Sequence, residues 1–204
     1  MNILNPLQIE ILKEIINIGV GKSADVLNTM IQTHITLEVP EVKIIQFSEY
    51  QDFVDYFEDE NYAVITLPFN GDLTGFSKLI LSSDHAAKLV NAFIGRSGTS
   101  IDMDSLRIDI LSEIGNVIIN AVMGTLSNML NINLDYIVPS YEQGSRNIII
   151  PEEMIKNEST ILFAKTHFKI EEFEARGNFA IFFRVKSFNT LIEKIQIYYE
   201  KNLL

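Results

Sequence analysis

The sequence predicts an α/β protein of pseudo-two-fold symmetry, in which two helix–strands–helix halves share one mostly antiparallel sheet and carry two long helices on an exposed face. Three observations lead there. A helical stretch occurs twice, EILKEIINIGVGKSADVLNTM from Glu10 and DILSEIGNVIINAVMGTLSNM from Asp109, offset by 99 residues. Nine of the 31 positions from Glu10 to Pro40 are identical at that offset, among them Glu14/Glu113, Asn17/Asn116 and Pro40/Pro139. Each copy is followed by β-branched extended segments. Gly75 and Leu89 then recur as Gly177 and Leu191 at an offset of 102, so the repeat continues past a short insertion.

The elements follow in order. Asn5-Pro6 predicts a helix start, because Asn can cap and Pro has no N–H to waste in the first turn. Asp104-Ser105 takes that place in the second copy. The first helix is expected to reach about Gln32, weakened locally by Gly19 and Gly21. His34 to Phe47 reads as extended, with Pro40 marking an edge or bend. Ser48 to Asp59 reads as a short helix or loop. Tyr62–Phe69 and Leu73–Leu81 read as a hairpin turning tightly at Asn70-Gly71-Asp72. Ser83-Asp84 caps a helix through about Phe93. Residues 95–102 (GRSGTSID) read as a linker between repeats of about 1–96 and 103–204 within one domain. The second long helix is expected over Ser105 to about Leu130, with short extended pieces at Leu134–Val138 and Asn147–Ile150. Pro151–Glu158 reads as a turn of helix, Ser159–Ile170 and Glu174–Val185 as a second long hairpin, and Ser187–Asn202 as the closing helix.

The composition excludes several classes. An apolar share of 47% supports a core. A net charge of -11 argues against a nucleic-acid or anionic-membrane surface. No run of about 18 uncharged apolar residues predicts a membrane insertion, and the N-terminus has no basic leader. The absence of cysteine excludes thiolate metal sites and suits a reducing compartment. His34, His85 and His167 lack metal-ligand spacing, so no metal site is expected. Gly19-Val20-Gly21-Lys22-Ser23 lacks the upstream glycine and strand of a phosphate-binding loop, and no G-x-S-x-G nucleophile turn occurs. The aromatics Tyr50, Phe53, Tyr56 and Phe57 read as a helix packed on a sheet or as a partner surface.

The chemistry is expected on the duplicated helices. Steps of three and four residues place side chains on one helix face. They align Glu10, Glu14, Asn17, Gly21 and Asn28 in the first copy. In the second they align Asp109, Glu113, Asn116, Asn120 and Ser127, with Gly124 close by. A Glu and an Asn one turn apart ordinarily mean a solvated surface, since burying such a stripe is costly. Here, however, the acid, the Glu, the Asn and the distant Pro all recur at one offset. A carboxylate and a carboxamide so placed can offer a docked partner one charge and one water-orienting dipole.

The pattern acid-xxx-Glu-xx-Asn, then 22 residues and Pro, resembles the motif of the CheC/CheX/FliY phosphatases of bacterial chemotaxis. Two copies on a chain of about this length resemble the CheC branch. Asp109 suits the family at its place; Glu10 departs from the Asp or Ser usual there. The resemblance implies a cytoplasmic hydrolase that removes the aspartyl phosphate of the response regulator CheY. The phosphorylated Asp, a Mg²⁺ and a Lys would belong to the regulator, so the chain needs no cofactor of its own. Asn17 or Asn116 would orient the attacking water, Glu14 or Glu113 would pair with the regulator's Lys, and Glu10 and Asp109 would be accessory docking contacts. The receptor deamidase CheD is implied as a further partner. Two rivals are a non-enzymatic adaptor, binding a regulator, CheD or the flagellar switch, and a sensor using a pocket between the halves.

Overall fold

The computed structural model describes residues 4–31, 34–46, 49–94, 103–150, 160–170 and 173–202. Its first element, helix α1 (Pro6–Ile31), begins where the sequence predicts. The Gln8 N–H donates to Asn5 Oδ1 at 2.9 Å, and the Asn5 N–H donates to Gln8 Oε1 at 3.0 Å. This reciprocal cap satisfies backbone donors that a helix start otherwise leaves open. Strand β1 (Ile35–Ile45), the short helix α2 (Tyr50–Asp55), strands β2 (Tyr62–Gly71) and β3 (Gly75–Ser82) and helix α3 (Ser83–Ile94) follow. The second half has helix α4 (Met103–Leu130), strands β4 (Leu134–Tyr136) and β5 (Ser140–Gly144), and a 3-10 turn at Arg146–Ile148. Strands β6 (Thr160–Ile170) and β7 (Phe173–Phe183) and helix α5 (Val185–Asn202) complete it.

The seven strands among the described residues form one sheet in the order β1-β6-β7-β3-β2-β4, with β5 also on β2. Every described pairing is antiparallel. The first strand of each half leaves its own hairpin and pairs with the other's: β1 with β6, and β4 and β5 with β2. Neither half therefore completes its sheet alone. At the centre, Gly75 pairs with Phe183 and Leu81 with Gly177, each pair being the image of the other at the offset of 102. The local dyad therefore passes between Lys78 and Ala180, which face each other across β3 and β7.

The two faces of the sheet carry different cores. One is covered by α1, α3, α4 and α5, through residues such as Leu12, Ile15, Val20, Ile118, Val122, Leu89 and Leu191. The other is a smaller aromatic cluster under α2 and the 3-10 turn, with Phe53, Phe57, Phe163 and Phe182. Phe53, Phe57 and Phe163 meet edge to face, a favourable geometry for aromatic pairs. The aromatic stretch after β1 is thus a helix packed on the sheet; Tyr50's side chain lies outside the described residues.

Two close approaches set the long helices. A Cβ at Gly19 would lie 2.6 Å from Val122 Cα, so the glycine lets α1 cross α4 backbone to backbone. A Cβ at Gly115 would lie 2.7 Å from Ile65 Cβ, so α4 sits directly on β2 beside Asn116. Helix α4 is long and apolar enough to cross a membrane by length and composition, yet half of its apolar window is buried inside the fold.

Three details differ from the sequence reading. Asn147–Ile150 is not extended, since the 3-10 turn takes Arg146–Ile148. The strand lies earlier, at Ser140–Gly144, whose polar SYEQG carries no apolar alternation and is held by pairing with β2. The Asn70-Gly71-Asp72 segment is not a tight two-residue turn. Asn70 and Gly71 extend β2 to pair with Asp135 and Leu134, and the Asp72 N–H donates to Asn133 O at 3.0 Å. The expected linker at 95–102 and the turn of helix at Pro151–Glu158 lie outside the described residues.

Candidate active site

Helices α1 and α4 lie on the same face of the sheet and pack on each other. Their apolar sides point inward: Leu12, Ile15 and Ile16 on α1 are essentially inaccessible, as are Ile118, Ile119 and Val122 on α4. That leaves the predicted stripes outward. Glu10, Glu14, Asp109 and Glu113 are exposed, and Asn17 and Asn116 are half-buried. An acid in water one turn from a carboxamide partly walled by protein is thus repeated on two packed helices.

The lower part of each stripe has a structural job. Asn28 Oδ1 accepts from the Ile35 N–H, and in the second copy Ser127 Oγ donates to Ile132 O at 2.6 Å. Both close the junction from the long helix into the next strand. This explains why position 28 and its image are polar without any appeal to a ligand.

The spacing from Asn17 to Pro40 also acquires a physical account. Asn17 Oδ1 accepts from the Val39 N–H at 3.2 Å. The β1–β6 register shifts between Glu38 and Glu41, around Pro40. Proline has no N–H to give the ladder, and such a bulge leaves neighbouring donors unpaired. The side-chain amide of α1 takes up that donor, so helix, asparagine and bulge form one unit. In the second half the corresponding segment breaks the strand outright, between Tyr136 and Ser140. There Asn116 Oδ1 accepts from Asn120 Nδ2 at 2.7 Å. The four-residue step that puts Asn120 on the stripe also puts it within reach of Asn116; what the sequence left open is which amide donates.

Among the described residues no group of three or more His, Cys, Asp or Glu comes together to hold a metal. A cavity of about 570 Å³ at the β1 edge, lined by Leu4, Ile9, Val42, Phe53 and Phe163 among others, includes neither Asn17 nor Asn116. A more polar cavity of about 500 Å³ lies between the halves on the opposite face, lined by Tyr62, His85, His167 and Arg176 among others. It too is separate from the stripes.

A duplicated domain with interchanged first strands, carrying paired acid–amide stripes on two crossed helices, is the class these features define. A model of the CheC-like family matches residues 7–44, which contain Glu10, Glu14, Asn17 and Pro40. The CheY-P phosphatase CheC of Bacillus subtilis (strain 168) is 29% identical over 152 residues, 73% of this chain and 72% of that protein. Among solved structures, Thermotoga maritima FliY superposes with a TM-score of 0.75 at 19% identity, covering 98% of this chain and 99% of that one. The CheX of a CheX–CheY–BeF3–Mg²⁺ complex from Borrelia burgdorferi gives a TM-score of 0.50 at 14% identity, covering 84% and 99%. The chain is thus similar to the CheC-like family, by its model over residues 7–44 and by the B. subtilis relative over most of its length.

Proposed function

We propose that this protein is a chemotaxis phosphatase that hydrolyses the aspartyl phosphate of a CheY-type response regulator. The observation that carries the reading is the pair of stripes, each with exposed carboxylates and a half-buried carboxamide, on one face of the fold. The similarities support it: the B. subtilis relative is a CheY-P phosphatase, and the structure from B. burgdorferi is a complex that contains CheY.

The chemistry asks little of the enzyme beyond placement. Phosphoryl transfer needs positioning and charge stabilisation rather than covalent help. The acyl phosphate, the Mg²⁺ and a lysine arrive with the regulator as parts of the substrate. Glu14 or Glu113 pairs with that lysine and sets the docking register, while Glu10 and Asp109 add peripheral contacts. Asn17 or Asn116 then enters beside the phosphorus. A carbonyl oxygen has two lone pairs. Each Oδ1 accepts one internal hydrogen bond, and its second lone pair accepts a hydrogen bond from the attacking water and turns that water's oxygen toward the phosphorus. As the water oxygen bonds to phosphorus the bond to the aspartyl oxygen breaks, the carboxylate leaves, and the water's proton passes to the departing phosphate, so no side chain of this protein need act as a base. The reading includes a cytoplasmic location and CheD as a second partner.

The test is phosphate release from an acetyl-phosphate-charged regulator. Loss of one preorganised polar group commonly costs about 10²–10³ in rate. Asn116→Ala is expected to remove most activity and Asn17→Ala less, because Glu10 is one methylene longer than the acid usual at that place. A double variant that keeps wild-type turnover ends the proposal. A wild-type chain that binds the charged regulator without speeding release would instead make it an adaptor.

A further inference from the structure

The two stripes hold their amides by different means, and the repeat supplies its own control. In the first, the donor to Asn17 is the Val39 main chain, within the β1 bulge. One turn further along α1 is Gly21, with open space where a side chain would begin. In the second, Val138 stands where Val39 does, but it is 83% exposed against 3% for Val39. The donor to Asn116 is instead the side chain of Asn120, which occupies the place of Gly21.

We propose that Asn120 is a positioning residue of the second site, the replacement for a strand tether that this half lacks. The inference rests on the functional reading above. The terminal torsion of an asparagine is broad and nearly two-fold, so an untethered carboxamide presents either its oxygen or its NH₂ to a docked partner. Only the oxygen can accept a hydrogen bond from the attacking water. By donating to Asn116 Oδ1, Asn120 fixes that atom's place and directs the second lone pair outward. Asn120 is itself exposed on the docking face, so its bond can loosen or tighten as the regulator seats. The first site has no such freedom, because its donor is the backbone.

Single-site chains test this. Asn17→Ala leaves the second site alone, and Asn116→Ala leaves the first. In the Asn17→Ala chain, Asn120→Ala should lower kcat at least about tenfold while KM for the charged regulator changes less than about twofold, the signature of misplacement rather than lost docking. Asn120→Asp, of the same shape but without the donor, should lose as much. Asn120→Gln, which keeps an NH₂, should recover part of the rate. In the Asn116→Ala chain none of the three should alter kcat. A second site indifferent to Asn120→Ala and Asn120→Asp overturns the inference alone, as does an equal loss in both single-site chains. A wild-type chain that releases no phosphate overturns the functional reading and this one with it.

Discussion

Lys78 gives the sharpest quantitative expectation. It lies at the dyad between the halves, 2% exposed, and its Nζ donates to Ile148 O at 2.8 Å, tying the 3-10 turn to the sheet. Burial pulls its pKa from 10.5 down to about 8, with Glu142 offsetting part of the effect. The direction of the stability change follows from proton counts. Below pH about 8 the amine is charged both folded and unfolded, and the fold bears the full cost of burying it. Between about 8 and 10.5 the folded amine is neutral while the unfolded chain still holds a proton, so stability rises with pH. At about 1.4 kcal/mol per pH unit the whole gap is about 3 kcal/mol, of which about 2.5 kcal/mol falls between pH 7 and 10. Denaturant unfolding of wild type and Lys78→Met at pH 7, 8, 9 and 10 measures it. Losing the donor to Ile148 O shifts the variant by a constant at every pH. Tyr62, whose hydroxyl burial pushes up, titrates alike in both proteins. The difference in stability, wild type minus variant, should grow by about 2.5 kcal/mol across the series. Parallel curves would show that the buried amine keeps an ordinary pKa and refute the reasoning.

Other expectations concern the helices and the site. Gly19→Ala forces a methyl against the α4 backbone and should destabilise by about 1–3 kcal/mol. Gly21→Ala points into open space and should stabilise by about 0.5–1 kcal/mol; equal denaturation midpoints for the two variants would contradict the close helix crossing. Asn17→Ala leaves the Val39 N–H without its acceptor and should cost about 1–3 kcal/mol, whereas Asn116→Ala should stay within about 0.5 kcal/mol of wild type, both read from the same unfolding curves. Glu113→Gln should raise KM for the charged regulator more than it lowers kcat, and should flatten the salt dependence of kcat/KM. A change confined to kcat would remove Glu113 from docking.

Much of the architecture was legible because local signals agreed with the tertiary ones. Asn5 and Pro6 specify a helix start from neighbouring residues alone, and in the fold Asn5 caps that helix, with Gln8 adding the return bond. Apolar spacing on α1 and α4 told which side would be buried, and the exact recurrence of Glu, Asn and Pro placed the outward stripe. Strand β5 was not legible, because SYEQG has no pattern of its own and becomes a strand through the partner it meets on β2.

What sequence alone determined, then, is the helix faces, the duplication and the residues worth suspecting. The tertiary structure decided the exchange of first strands, because antiparallel pairing joins residues far apart in the chain. It also decided how each asparagine is held. Two residues that look equivalent at an offset of 99 accept from a strand backbone in one half and from a neighbouring side chain in the other. A carboxamide's working orientation depends on whichever donor the packed chain brings within reach, and the repeat pattern carries no record of that.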